Sequence, residues 1–372
     1  MLLNDYLSFA QPLTLAALAA ALRGREPQRL PPETEARLRA AYPPQTAPAA
    51  GAQPAHWLLA HACGTGPEVP PELVRRLLLL KAHALSQAPA GAPVGAAKRL
   101  LDFYNRDVWP VVYEQGTAET PLAHVCLPLL GLGDVNYQGY RLAAADVLEL
   151  FGWAPLALPE QAGPQLLGGA EFELAYATEA LERATHLLRA SLVIAALSMG
   201  APAPAGSVAP VPAISHELAQ VARVVEAACD AGAAASAAPL PLALHKLART
   251  VAEVGQASAQ RTGNLLAAGA PAGLMALPGA AASLAAYSQR LSGPAPAPPE
   301  VRRVVENTGQ LLGLELLAAA RARALRQPAR SSPALEAVVA AFGGVVNFAA
   351  PDRLLAPDLH RAARFVREYE WA

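Results

Sequence analysis

PEVRRVVENTGQLLGLELLAAARARALR, residues 299–326, is the stretch on which the fold turns. Val301, Val304, Val305, Leu311, Leu312 and Leu316 recur at near-helical spacing, which lays an apolar stripe along one long helix. Ala170 to Met199 and Pro241 to Ala268 have the same length and character. Helices of about thirty residues favour a bundle. Alternating strand patterns are nearly absent, so the expected class is all-α. Hydrophobic residues make up 53% of the chain and aromatics only 5%. Much of the apolar content is alanine, the best helix former, and small side chains let long helices pack closely.

Proline and glycine punctuate the rest. Pro31-Pro32 opens a short helix with Glu33 and Glu35 in its first turn. Pro43 to Pro54 reads as a loop. Pro70-Pro71-Glu72 starts a strong helix running to about Gln87, because proline and glutamate suit a first turn whose amides lack partners. A helix over Val94 to Arg106 follows. Thr120-Pro121 opens another, running to about Leu130 and stopped by Gly131-Leu132-Gly133. Asp134 to Arg141 reads as an irregular segment or a hairpin. Further helices are expected over Ile214 to Asp230, Ala280 to Leu291, Pro333 to Phe342 and Pro357 to Trp371, with a break from Gly200 to Pro212. The turn-rich stretch Gly163 to Gly169 divides residues 1–165, a smaller N-terminal helical region, from residues 166–372, a long-helix bundle with C-terminal helices. The two are expected to form one continuous structural unit.

Charge and composition exclude several classes. The formal net charge is −1 over 372 residues, with no basic stripe interleaved with aromatics, which argues against nucleic acid. No apolar run reaches the roughly eighteen residues of a membrane span. Met1 to Arg23 contains the apolar stretch Leu13 to Leu22 but lacks a basic n-region, carries Asp5 and runs into Arg23 and Arg25. It reads as a first helix, and the expected location is the cytoplasm. The three cysteines, Cys63, Cys126 and Cys229, are widely spaced in apolar stretches and read as buried small hydrophobes rather than a disulfide framework. Gly131-Leu132-Gly133 and Gly168-Gly169 lack the downstream Lys or Ser/Thr of a phosphate loop and read as turns.

A series of short motifs runs through the chain. Leu58 to Gly66 (LLAHACGTG) is followed by Glu72 to Leu85 with Lys81-Ala82-His83, by Trp109-Pro110-Val111-Val112, and by Gln115-Gly116-Thr117. Pro121-Leu122-Ala123-His124, Leu166-Leu167-Gly168-Gly169, and Ala252-Glu253-Val254-Gly255 with Arg261 come next. Val304-Val305-Glu306-Asn307 and Leu314 to Ala320 close the series. Together these segments resemble the aromatic amino acid ammonia-lyase family, whose histidine and phenylalanine ammonia-lyases carry Ser-His-x-x-Gly-x-Gly, Arg-x-Asn, Pro-Leu-Ala-His, Leu-x-Asn-Gly and Ala-Glu-Leu-Gly in that order. Each motif is weak alone; the colinear series from Leu13 to Leu325 carries the resemblance. It implies a long-helix bundle of the ammonia-lyase/fumarase-like type. It also implies tetramers whose sites combine residues from several subunits.

The family's chemistry needs a methylidene-imidazolone, made by cyclisation of an internal Ala-Ser-Gly. An amino acid adds to it, and a tyrosine base removes a β-proton so that ammonia can leave. Between Thr117 and Pro121 this chain has only Ala118-Glu119-Thr120, and Ala-Ser-Gly occurs nowhere in it. By the resemblance, about five further residues belong there. The tyrosine-bearing loop expected before Trp57 is represented by Ala47 to Pro54, with no tyrosine after Tyr42. Gly168 stands where the family has asparagine. The Gly-Gly-Asn-Phe-His-Gly segment is replaced near Pro239 to Leu242, and the Tyr-Ser-Leu-Arg stretch has no counterpart between Met199 and Pro239. The Gln-Glu-Asp motif expected before Val301 is reduced to Pro294 to Glu300. The chain is therefore identified as a shortened, degenerate member expected to lack the methylidene-imidazolone and any other cofactor.

The remnant-pocket candidates are His83, Tyr113, Glu119 and His124. His83 replaces a family asparagine. His61 and His124 share that half of the chain, and each histidine has the alternative of a helix-end or core role satisfied by backbone. Glu114 and Glu119 flank the shortened loop as a possible acid/base pair or as solvated carboxylates. Tyr104 and Tyr113 could stand in for the missing base, or simply pack. No His-x-x-x-His or Glu-x-x-His pair offers a metal two ligands on one helix face. The expected function is that of a non-catalytic structural or regulatory partner, homo-oligomeric or paired with an active lyase paralogue. The rivals are an enzyme of altered chemistry in the old pocket, and a residual lyase acting on histidine, phenylalanine or tyrosine. The sequence names no small-molecule ligand.

Overall fold

A computed structural model describes residues 7, 9–24, 26–41, 56–88, 92–158, 162–199, 211–231, 239–267, 272–325, 332–348 and 354–371. The expected loop Pro43 to Pro54 and most of the expected break after Met199 lie outside them. The fold is all-α, a long-helix bundle whose short strands, among the described residues, fall in the N-terminal half. The chain parts into two compact units, Met1–Thr178 with Arg223–Leu240, and Glu179–Ala222 with Pro241–Ala372. The first break between them comes between Thr178 and Glu179. It lies within a helix, Glu171–Met199.

The first unit holds α1 (Leu15–Arg23), α2 (Pro32–Ala41), α3 (His56–His61), α4 (Pro71–Gln87), α5 (Val94–Asn105), α6 (Thr120–Cys126), α7 (Ala144–Leu150), α8 (Gly163–Leu167) and the start of α9 (Glu171–Met199). Helix α4 is its centre. Leu73, Val74 and every residue from Leu77 to Ser86 are buried, so the later turns of the helix are enclosed on every face, Lys81 and His83 included. Helix α6 stops at Cys126, where Pro128 forces the continuation into a 3-10 turn, Leu127–Leu130. Gly131 then ends that turn in the left-handed region, at φ 72°.

The strands β1 (Thr65–Glu68), β2 (Trp109–Pro110), β3 (Tyr113–Gln115), β4 (Asp134–Tyr137) and β5 (Tyr140–Ala143) are two to four residues long. That is too short for alternation to show in the sequence. β1 pairs with β3, and the order of the other sheet is β2-β4-β5, all antiparallel. Gln138 and Gly139, at φ 50° and 82°, make the tight β4–β5 turn, so the segment read as irregular or hairpin is a hairpin.

The later helices are α10 (Val211–Ala231), α11 (Pro239–Ala267), α12 (Leu277–Leu291), α13 (Pro298–Ala324), α14 (Pro333–Gly343) and α15 (Ala356–Glu368). Pro212, read as part of the break, lies in the first turn of α10, where its missing N–H costs nothing. Within the second unit Ala259, Leu266, Leu274, Leu277, Ala281, Ala285, Leu311, Leu314 and Ala318 form one core across α11, α12, α13 and the 3-10 turn Ala272–Leu274. Small residues set the helix spacings. A Cβ on Gly255 would lie 2.9 Å from Thr308 Oγ1 and 3.0 Å from Leu311 Cδ1. One on Gly313 would lie 2.8 Å from the Ala363 backbone nitrogen. Among the described residues no helix is long and apolar enough to cross a membrane.

Two glycine-to-alanine changes separate helix propensity from packing. A Cβ on Gly263 of α11 meets nothing within 4 Å, so Gly263→Ala should stabilise by about 0.5–1 kcal/mol in urea unfolding. Gly313→Ala carries the same intrinsic gain but drives a methyl into the backbone of α15, and should destabilise by about 1–3 kcal/mol. Equal stabilities of the two variants would contradict the close contact of α13 with α15.

Candidate functional site

The motif-bearing segments of the first unit converge around the short turn from Gly116 to Thr120. β3 delivers the chain into this turn, and α6 begins at its end. The turn closes on itself. Thr117 N–H donates to Thr120 Oγ1 (3.1 Å), the Thr120 amide donates back to Thr117 O (3.2 Å), and the Thr117 hydroxyl donates to Glu119 (2.8 Å). Such side-chain bonds to nearby backbone are what Ser and Thr use to close turns and start helices. The Glu119 carboxyl is held below its usual range, first by the Thr117 hydroxyl and then by its own amide.

His124 and Tyr113 come together beside this turn. Their rings meet edge to face at 5.2 Å. The Gly64 N–H, at the end of the LLAHACGTG segment, donates to His124 Nε2 at 3.1 Å. A backbone N–H can only donate, so Nε2 is an acceptor, the ring proton sits on Nδ1, and the imidazole is neutral. Burial lowers the His124 pKa and reinforces that state. Gly64 is required sterically, since a Cβ would lie 2.8 Å from His124 Nε2 and 2.9 Å from Tyr113. The Tyr113 phenol accepts from Arg141 at 3.0 Å, and Arg141 also binds Glu68 (2.6 Å) and Asp134 (2.8 Å). The Glu114 carboxylate takes the Tyr176 hydroxyl at 3.0 Å. Tyr104 is committed to Ala21 O and Arg75.

His83 is placed apart from this group. It is fully buried on α4, where its Nε2 donates to Gln11 O at 3.2 Å. Ser86 and Gln87 both donate to Phe9 O nearby, so this face of α4 fastens the segment before α1. Burial lowers the His83 pKa, and its Nδ1 has no hydrogen-bond partner among the described residues. A cleft of about 670 Å³ lies beside the turn, lined by His56, Trp57, Glu119, Gly163, Pro164, Leu167 and Gly168. Of the four candidates it takes in Glu119; His83, Tyr113 and His124 are not among its lining residues.

Sequence reading missed a buried ion pair behind this cleft. Lys81, with no solvent exposure, donates to Gly168 O at 2.7 Å and lies 3.5 Å from the buried Glu171. Burial raises the Glu171 pKa, and the Lys81 ammonium opposes that rise. The signal was present: a lysine inside the apolar run Leu77 to Ala84 must have a partner if the helix is buried. Its partner, in a different helix, left no such mark. Burial also pushes the Cys126 and Cys229 thiols up to about 12, so both are inert. Cys63 departs from expectation. It is exposed just beyond α3, with Sγ 3.6 Å from Thr120 Oγ1. Among the described residues no His, Cys, Asp and Glu side chains group as metal ligands.

Comparison with known proteins places this geometry. The pattern of the family described as aromatic amino acid lyase matches residues 47–231. Histidine ammonia-lyase from Legionella pneumophila (strain Lens) is 36% identical over 149 residues, 39% of this chain and 29% of that protein. Histidine ammonia-lyase from Deinococcus radiodurans is 38% identical over 149 residues, 39% of this chain and 28% of that protein. The aligned part thus amounts to less than a third of those relatives' length. The crystal structure of histidine ammonia-lyase from Trypanosoma cruzi shares the fold, with a TM-score of 0.85 at 20% identity, covering 97% of this chain and 93% of that one. The sequence match runs through the Gly64, Gly116–Thr120 and His124 segments just described, and the chain belongs to the aromatic amino acid lyase family.

Proposed function

We propose that this chain is a non-catalytic member of its family, a structural or regulatory oligomer partner that carries no methylidene-imidazolone. The observation behind the reading is the Gly116–Thr120 turn. The group requires an Ala-Ser-Gly with a small, flexible flank, and the chain has none. The residues standing there do not fit it: none is a serine, and Thr117, Glu119 and Thr120 satisfy one another's polar groups. The other candidates are engaged too. Neutral His124 accepts from Gly64, Tyr113 accepts from Arg141, and buried His83 donates to Gln11. Altered chemistry in the cleft is the second reading, favoured by its volume and by Trp57 in its lining. Against it, Glu119 is held ionised and so is poorly suited to act as a general acid. A residual lyase of the histidine ammonia-lyase type is the third. The proposed partner is a second copy or an active lyase paralogue, and the proposed location is the cytoplasm.

The intact mass should equal that of the unmodified chain, and histidine, phenylalanine and tyrosine should yield no ammonia. A mass deficit of water together with ammonia release would overturn the proposal. Light scattering on the purified protein should show an oligomer, or co-expression should yield a complex with an active lyase. A strict monomer that binds no such paralogue would refute the partner role.

The neutral His124 predicts a pH dependence. Its folded pKa is lowered from 6.5, so below that value the unfolded chain binds the extra proton and native stability falls with pH. His83 acts in the same direction, while the raised carboxyls of Glu171 and Glu173 act oppositely. The comparison must therefore be with a variant. Between about pH 7.5 and 5.5, wild type should lose more stability than His124→Gln, which keeps an acceptor for Gly64 but cannot titrate. Identical pH slopes would show that His124 is not the neutral acceptor.

A further inference from the structure

A groove of about 500 Å³ lies between α13 and α15 in the second unit, within the range of small-molecule sites. Glu306, Gly309 and Gln310 line it from α13, and His360, Arg361, Ala363, Arg364 and Arg367 from α15. The close approach at Gly313 forces the two helix backbones together beside it. One turn away, Gly309 contributes no side chain, and the Arg367 stem lies beside it, 3.9 Å from where a Cβ would stand.

The lining is unbalanced in charge. Arg361, Arg364 and Arg367 follow one another at three-residue intervals, and His360 falls one turn before Arg364. Like charges at this spacing repel and weaken a helix unless something offsets them. The available anions do so poorly. Arg361 meets Asp358 at 3.5 Å and Arg364 meets Glu368 at 3.8 Å, distances too long for good hydrogen bonds. Glu306, the carboxylate in the lining, is already shared among Arg302 (3.4 Å), Arg303 (3.5 Å) and Arg183 (3.9 Å). The helix dipole favours cations only in the last turn of α15, which accounts for Arg367 but not for Arg361 two turns earlier.

We propose that this groove binds a small multivalent oxyanion, a phosphate ester or a polycarboxylate. Guanidinium groups recognise both through paired N–H donors, and Gln310 supplies a neutral polar contact on the opposite wall. This site is distinct from the cleft beside the Gly116–Thr120 turn and does not depend on whether the chain is catalytic.

Titration calorimetry on the full-length protein, with inorganic pyrophosphate in one arm and citrate in the other, tests the proposal. Saturable binding of at least one is expected, weakening with added salt. Arg364→Gln/Arg367→Gln should weaken it by about tenfold per arginine. Arg249→Gln/Arg290→Gln removes the same charge from helices that do not line the groove, and should bind as wild type does. Tighter binding of pyrophosphate would assign a phosphate ligand, and of citrate a carboxylate ligand. Absence of saturable binding of either anion would overturn the proposal. So would equal loss in both double variants, or undiminished affinity in Arg364→Gln/Arg367→Gln with an unchanged circular dichroism spectrum.

Discussion

Glu315 is buried without solvent exposure in the middle of α13, and the arrangement of long helices around it follows from that. A carboxylate removed from water is tolerated only where ionic and hydrogen-bonding partners replace the water. Arg261 of α11 supplies two bonds, at 2.6 and 2.9 Å, and Ser198 of α9 a third at 2.7 Å. The three groups lie on three helices, so only one relative register satisfies them all. Packing agrees with the same register, since Gly255 of α11 sits against Thr308 and Leu311 of α13. The net contribution of such a buried pair to stability is modest, because desolvation offsets much of the attraction. Its effect is to penalise every register in which the carboxylate would stand alone.

The first unit uses the same device beside its candidate site. Lys81 and Glu171 are both buried, with the ammonium also bonded to the carbonyl of Gly168. That pair connects α4 to the start of α9 through interactions independent of the Gly116–Thr120 turn. Here scaffold and chemistry are separable. The helices are positioned by apolar contact and by buried pairs, while the side-chain bonds of the turn run mostly among its own residues, with Thr120 also meeting Cys63. A turn of this kind can be shortened without disturbing the helices that flank it, since loops on a rigid scaffold tolerate deletion better than the elements they join. The proposed loss of the family's chemistry is therefore compatible with a retained architecture.

The sequence by itself determined the helices, because their signals are local. Apolar spacing in residues 299–326, proline and glutamate at Pro71-Glu72, and glycine at Gly131 each act within a few residues of where they stand. The absence of Ala-Ser-Gly is equally local and was legible at once. The strands were not, being two to four residues long and held by partners far along the chain. The candidate site was legible in composition but not in connection. Tyr113 and His124 were singled out and lie together, whereas His83 was grouped with them and instead fastens the segment before α1. Cys63 was read as buried and is exposed. Tertiary structure alone decided which charges pair, Lys81 with Glu171 and Arg261 with Glu315, and that three arginines of α15 face a groove. The physical reason is that burial and charge pairing are properties of where helices meet, and periodicity along one helix carries no record of which residue lies across from it.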